Sequence, residues 1–390
     1  MSSDSVNATT GLDSCSERTS GSFAVQTGFL LIILVITLVG NFTVCITVFI
    51  SQSLHSFTNY IVASLAVSDL MVGSLSLPFR IHQTLHNTKW CLGEGACQFW
   101  VCIDLFCCCA SIGNLALISV DRFLATMYPL TYQDLLSKTT KIAMISIVWL
   151  YSIIVASSGL VNWTIPNQPV VFIDDGCFKK DKYFYTFASC LGFFLPLTII
   201  IIAYSYVFKV AIGHWRAIRR LTVPALPAIG LNTTSNQRIA LTREIKAAKT
   251  LAIVVGAFVV CWAPFFIILM AKFWCLTCFQ DYGDATKRGL IMFANITFVY
   301  TLPNINSTLN PFIYVIFSKK LRQAFVRFFE VLSSKIRGTG AVRPRENSSV
   351  SELGVQNAFS RMYGKYGETQ DTKQAGKQRT GDQRPGVSET

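Results

Sequence analysis

Seven long apolar stretches separated by shorter polar ones pattern the chain, running near 27 to 50, 59 to 83, 95 to 126, 140 to 162, 183 to 210, 246 to 272 and 289 to 316. A hydrocarbon core about 30 Å thick takes roughly 20 residues of helix, so each stretch predicts a membrane-spanning helix. None repeats another at a fixed period, and the short connections leave no room for a second folded unit. The expected fold class is an all-α membrane protein, a seven-transmembrane helix bundle. After the seventh stretch, Phe317 to Phe329 interleaves basic and apolar residues at helical spacing, which predicts a short amphipathic eighth helix in the interface. The expected division is a polar segment over 1–26, the bundle with its eighth helix over 27–330 and a tail over 331–390. From about residue 333 Gly, Ser, Gln, Lys and Arg dominate, and so little apolar surface predicts disorder.

Composition agrees with this pattern: 52% of the 390 residues are hydrophobic and only 14% are charged. A net charge of +13 raises nucleic acid as a partner, but that needs Lys and Arg clustered on a solvated face. Here they sit between and after the apolar stretches, so no nucleic-acid partner is expected. The connection from Lys209 to Lys249 holds Arg216, Arg219, Arg220, Arg238, Arg243 and Lys246, and the tail is basic. Both are therefore expected on the cytoplasmic side. With seven spans the amino terminus falls outside, where Asn7-Ala8-Thr9 forms a glycosylation sequon. The loop from Ser51 to Thr58 carries no Lys or Arg, so the charge rule is met by sum and not loop by loop. Residues 1–26 lack the charged start and short apolar core of a signal peptide, and no cleaved leader is expected.

Seven of the 13 cysteines (Cys45, Cys102, Cys107, Cys108, Cys109, Cys190 and Cys261) lie inside apolar stretches, where a thiol behaves as a small hydrophobe. The other six (Cys15, Cys91, Cys97, Cys177, Cys275 and Cys278) fall on the expected outer side, which suits oxidising chemistry. His55, His82, His86 and His214 stand near loops, so no nucleophile-and-base or metal cluster of a membrane enzyme is visible. Nor are the inverted repeats, broken helices or charge rings of a transporter or channel.

Ionisable groups in hydrocarbon are costly and point to function. Asp69 falls in the middle of the second stretch and Asp104 in the outer half of the third. Asp104, Cys108, Ser111 and Leu115 are spaced by three or four residues and share one helix face. Further along the same helix comes Asp121-Arg122-Phe123, where the Asp can hold the Arg by a charge-assisted hydrogen bond while Glu244, at the base of the sixth stretch, competes for it.

Landmarks recur in order: Gly40-Asn41, Leu65-Ala66-Val67-Ser68-Asp69, Asp121-Arg122-Phe123, Trp149, Pro196 and Tyr204, Cys261-Trp262-Ala263-Pro264, and Asn310-Pro311-Phe312-Ile313-Tyr314. Over about residues 27 to 330 the chain thereby resembles the rhodopsin-like, class A G protein-coupled receptors, and within them the biogenic amine receptors. The resemblance implies a non-enzymatic receptor of the plasma membrane, coupled to heterotrimeric G proteins and served through its tail by arrestin and receptor kinases, with membrane lipids around it. No cofactor is expected, apart from an allosteric sodium ion at Asp69, Ser111, Asn306, Ser307 and Asn310. Pro196, Ile112 and Phe258 match the family's packing switch, with Trp262 above it; Tyr204 and Tyr314 match the tyrosines that meet Arg122 when the sixth helix swings outward. Phe123 stands where tyrosine is commoner.

The same resemblance implies a disulfide between Cys97 and Cys177 and a small ring closed by Cys275 and Cys278, leaving Cys15 and Cys91. It places Asp104 where amine receptors pair a protonated nitrogen, with Trp100, Cys108, Phe178, Ser189, Trp262, Phe265, Phe266 and Asn304 around the ligand. Ala188 and Gly192 replace hydroxyl-bearing positions that read a catechol, which disfavours a catecholamine. Asn304 stands where amine receptors carry a tyrosine that braces the aspartate, and Thr301 where they carry tryptophan. Asn304 also occupies the position of the opsin lysine, so a retinal Schiff base is excluded there. A peptide-binding or orphan receptor is the alternative.

Overall fold

The computed structural model describes residues 21–163, 170–171, 176–221, 235–275 and 285–336. Asn7, Cys15, Cys278 and the tail from 337 lie outside them, as does the side chain of Glu244. The helices, in chain order, are α1 (Gly21–Ile50), α2 (Phe57–Leu85), α3 (Gly93–Met127), α4 (Lys138–Ser157), α5 (182–221), α6 (Ser235–Trp274), α7 (285–317) and α8 (Lys319–Ile336). They form the expected all-α bundle. Among the described residues, six of them are by themselves long and apolar enough to cross a membrane. The seventh expected span is helical throughout as α7, and α8 turns off after Ser318, whose backbone is extended.

Local sequence sets several of the helix starts. Ser56 and Ser137 accept hydrogen bonds from the third amide ahead, at Asn59 and Thr140, and Asp181 accepts from Tyr183 and Phe184, which satisfies amides that a helix start leaves unpaired. The bundle perimeter is apolar: Val39, Phe49, Ile147, Ile154, Ile202, Val260 and Ile316 are all more than half exposed. Such a belt would aggregate in water and is at home in lipid.

Proline shapes three of the spans. A proline removes one amide and crowds the carbonyl four residues back. Pro78, Pro196 and Pro303 each follow a π-helical segment, Val72–Ser76 in α2, Cys190–Phe194 in α5 and Asn295–Thr301 in α7. The crowded carbonyls, of Ser74, Gly192 and Val299, lie inside these widened turns. Pro311 is met differently: it frees the carbonyl of Ser307, and the Asn41 side chain from α1 donates to that oxygen at 3.0 Å while also donating to Thr37 O.

Helix α3 is central and packs against α2, α4 and α5. The main core joins Leu65, Ile112, Leu115, Phe193, Ile200, Phe258, Phe266 and Tyr314, all nearly inaccessible. Polar bridges tie helices together inside it. Thr37 bonds Thr308 at 2.7 Å, and Trp149 on α4 donates to Ser64 on α2 at 3.0 Å. Each contributes on the order of 1 kcal/mol in a bilayer.

α1 approaches α7 closely at Gly40, where an added Cβ would lie 2.9 Å from Cγ of Pro311, a rigid ring that cannot rotate aside. Gly40→Ala should therefore cost about 1–3 kcal/mol by overpacking, read as a lower Tm of the purified protein. Gly256→Ala, with open space around it, should not lower Tm.

Candidate functional site

Three polar or aromatic centres line up along α3. At one end of the bundle, Cys97 and Cys177 form a disulfide with Cα atoms 5.5 Å apart, tying the segment before α5 to the start of α3. That segment is pinned twice more. Lys179 is fully buried, donates to the carbonyls of Gly159 at 2.9 Å and Val161 at 2.8 Å, and lies over the Phe184 ring. Its burial pushes the ammonium below the usual lysine value, against the pull of Asp181. Asp181 accepts the Trp163 amide at 2.7 Å. Cys91 and Cys275 are also disulfide-bonded; the expected partners, Cys15 and Cys278, lie outside the described residues.

One helical turn beyond Trp100, Asp104 is half-buried and accepts a 2.5 Å hydrogen bond on Oδ1 from Ser76 of α2. Ser76 is the last residue of the α2 π-helical segment, which aims its hydroxyl at α3. Among the described residues no cationic side chain pairs with Asp104. Deeper lies an aromatic stack: Phe193 on Phe266 with centroids 4.3 Å apart, Phe258 at 5.8 Å from Phe193, and Trp262 at 5.8 Å from Phe265 and 5.9 Å from Phe266. Cys108 belongs to this core and Ser189 is buried with its hydroxyl unpaired. Phe178 and Asn304 are half-buried. Trp100 departs from the group: it stacks on Trp90 at 5.2 Å under the Arg80 guanidinium, and so belongs to the cap around the disulfide.

In the middle, Asp69 is fully buried and accepts from Asn310 on Oδ2 at 2.7 Å. Its Oδ1 and the Ser111 hydroxyl are buried without a hydrogen-bond partner, and Asn306, Ser307 and Asn310 are almost inaccessible. Orphaned oxygens beside a carboxylate are the ligand set of a hard cation. At the far end, Asp121 is fully buried and holds Arg122 through Nη2 at 2.5 Å and Nε at 3.1 Å. It also accepts from Thr58 at 2.7 Å and Tyr132 at 2.5 Å, and Arg122 contacts the Thr58 hydroxyl. Burial first, then the bond to Asp121, push the Tyr132 phenol upward, which keeps it a donor. Ile112, Pro196 and Phe258 are buried together with Tyr204 and Tyr314 nearby, both with unpaired hydroxyls.

A model of the 7 transmembrane receptor (rhodopsin family) matches residues 40–314. The chain belongs to the rhodopsin family of seven-transmembrane receptors. It is thus a receptor and not an enzyme. It is 32% identical over 358 residues to the "Probable G-protein coupled receptor No18" of Amphibalanus amphitrite, covering 80% of this chain and 91% of that one. It is also 32% identical to the alpha-1A adrenergic receptor of Rattus norvegicus over 320 residues, and to that of Homo sapiens over 312, covering 75% and 73% of this chain. It spans only 65% and 63% of the lengths of those two adrenergic receptors.

Four residues of the receptor's centres were not singled out by sequence. Ser76, Thr58 and Tyr132 carry no signal of their own: each is an ordinary hydroxyl until the fold sets it against Asp104 or Asp121. Phe193 could have been found, four residues after Ser189 on the same face. Ser76→Ala should remove the donor to Asp104 and lower receptor stability by about 1 kcal/mol, seen as a reduced Tm. Ser74→Ala, whose hydroxyl bonds only its own helix at Leu70, should not.

Proposed function

We propose that this receptor sits in the plasma membrane with its disulfide end outside, binds a protonated biogenic amine there and activates heterotrimeric G proteins. The observation that carries the reading is Asp104: a half-buried carboxylate with a neutral donor and no cation partner among the described residues, with a stack of five aromatic rings deeper in the bundle. An ammonium pairs with such a carboxylate only when it arrives from outside, and aromatic faces add cation-π attraction and stacking for its body. Cys108, Phe178, Ser189, Phe265, Phe266 and Asn304 complete the pocket, with Trp100 holding its rim. The two adrenergic relatives support the amine class by name.

Signal transfer runs down α3. A ligand bearing on Trp262 repacks Ile112, Pro196 and Phe258 and releases α6 outward, a rigid-body transition. Arg122 then leaves Asp121 and Thr58 for the hydroxyls of Tyr204 and Tyr314, which have no partner in this state. Glu244 joins the same exchange from α6. Asp69, Ser111, Asn306, Ser307 and Asn310 hold a sodium ion that favours the resting arrangement, and arrestin and receptor kinases act on the tail.

Screening biogenic amines against the receptor in a second-messenger assay should find an agonist. Asp104→Asn should then cut its potency by roughly two to four orders of magnitude, the loss for breaking a buried ion pair at about 3–5 kcal/mol, with surface expression intact; an unchanged dose response rejects the amine reading. With the same agonist, sodium should lower affinity in the parent receptor and have no effect in Asp69→Asn.

A further inference from the structure

At the disulfide end of α2, two imidazoles meet. His82 and His86 stand one turn apart with ring centroids 4.3 Å from each other. His86 Nδ1 lies 2.9 Å from the carbonyl oxygen of His82. A carbonyl only accepts, so Nδ1 carries the proton and the lone pair of His86 is on Nε2, the tautomer that backbone carbonyls impose on metal-binding histidines. His82 is the complement: its Nδ1 is buried with no hydrogen-bond partner. A buried unsatisfied polar atom costs about 1–3 kcal/mol, and among the described residues no carbonyl or carboxylate fixes this ring.

The turn that follows is strained. Asn87 and Thr88 have φ of 54° and 73°, a region that a β-branched residue rarely enters. Gln83 holds them there: its carbonyl accepts from the Thr88 amide at 2.9 Å and its side chain donates to the Thr88 carbonyl at 3.1 Å. Gly176 closes over this turn with a φ of 127°, where an added Cβ would lie 3.0 Å from Thr88 O. Strain of this kind persists where the surroundings over-determine the backbone and marks candidate sites; here it folds the chain back against the last turn of α2, beside the His86 ring. The neighbouring cation, Arg80, is already engaged with Gln83 Oε1 and the Trp100 face.

We infer that His82 and His86 form a binding site for a zinc-type divalent cation, held by the two imidazoles with water in the remaining positions. Imidazole nitrogen suits zinc, copper and nickel and not magnesium or calcium. Among the described residues no third His, Cys, Asp or Glu joins the pair, which makes the site open and its affinity moderate. Binding turns the His82 ring about χ2 to share the cation with His86 Nε2. The site touches the cap of the bundle: His82 lies edge-on to Trp90 at 6.2 Å, and Trp90 stacks on Trp100.

Isothermal titration of ZnCl2 into the purified full-length receptor should give one saturable site, with MgCl2 giving none. His82→Gln and His86→Gln should each weaken it by about tenfold or more. No zinc binding by the parent, or binding unchanged in both variants, overturns the assignment. A second measurement needs no variant: ethoxycarbonylation by diethylpyrocarbonate, read residue by residue by mass spectrometry, should slow severalfold at His82 and His86 when ZnCl2 is present. His55, exposed at the other end of the bundle, is the internal control. Equal modification of His82 and His86 with and without zinc also overturns it.

Discussion

Hydrocarbon offers no hydrogen bonds, so every polar group in this bundle has to be answered by another part of the protein. That constraint accounts for the helices themselves, whose backbones satisfy their own amides and carbonyls. It also accounts for the exceptions. Where Pro78, Pro196 and Pro303 delete an amide, the preceding turn widens into a π-helical segment; where Pro311 frees the Ser307 carbonyl, Asn41 reaches across from α1 to bond it. The repair at Pro311 explains why Gly40 must be small, since Asn41 reaches Ser307 only if α1 lies against the proline ring.

The same accounting locates function. Among the described residues thirteen buried side-chain polar atoms remain unanswered, and Oδ1 of Asp69, the hydroxyls of Ser111, Ser189, Tyr204 and Tyr314, and Nδ1 of His82 are among them. Those of Asp69, Ser111, Tyr204 and Tyr314 fall along the line from Asp104 through Asp69 to Arg122. The carboxylates at the two ends are treated differently. Asp121 is saturated by Arg122, Thr58 and Tyr132, whereas Asp104 has one neutral donor and no cation among the described residues. One end is therefore closed on itself, whereas at the other a single neutral hydroxyl answers the carboxylate among the described residues.

Replacement of family residues is compensated in space. The bracing tyrosine that amine receptors place on the seventh helix is Asn304 here, and the bond to Asp104 comes instead from Ser76 on α2. The π-helical segment ending at Ser76 is what turns that hydroxyl toward α3, so a backbone feature next to Pro78 reaches Asp104.

The sequence by itself determined the seven spans, the amphipathic α8 and the family, because apolar length and ordered landmarks are properties of the chain read one residue after another. It also marked Asp69, Asp104 and Asp121-Arg122, because a charge in an apolar stretch stands out without any partner in view. Tertiary structure alone decided which hydroxyls answer those charges, that Trp100 belongs to the cap with Trp90, and that Gly176 closes over the turn after His86. Serine, threonine and tyrosine are common in every helix and acquire a role only through what lies within about 3 Å of them, a distance set by helices far apart in the chain.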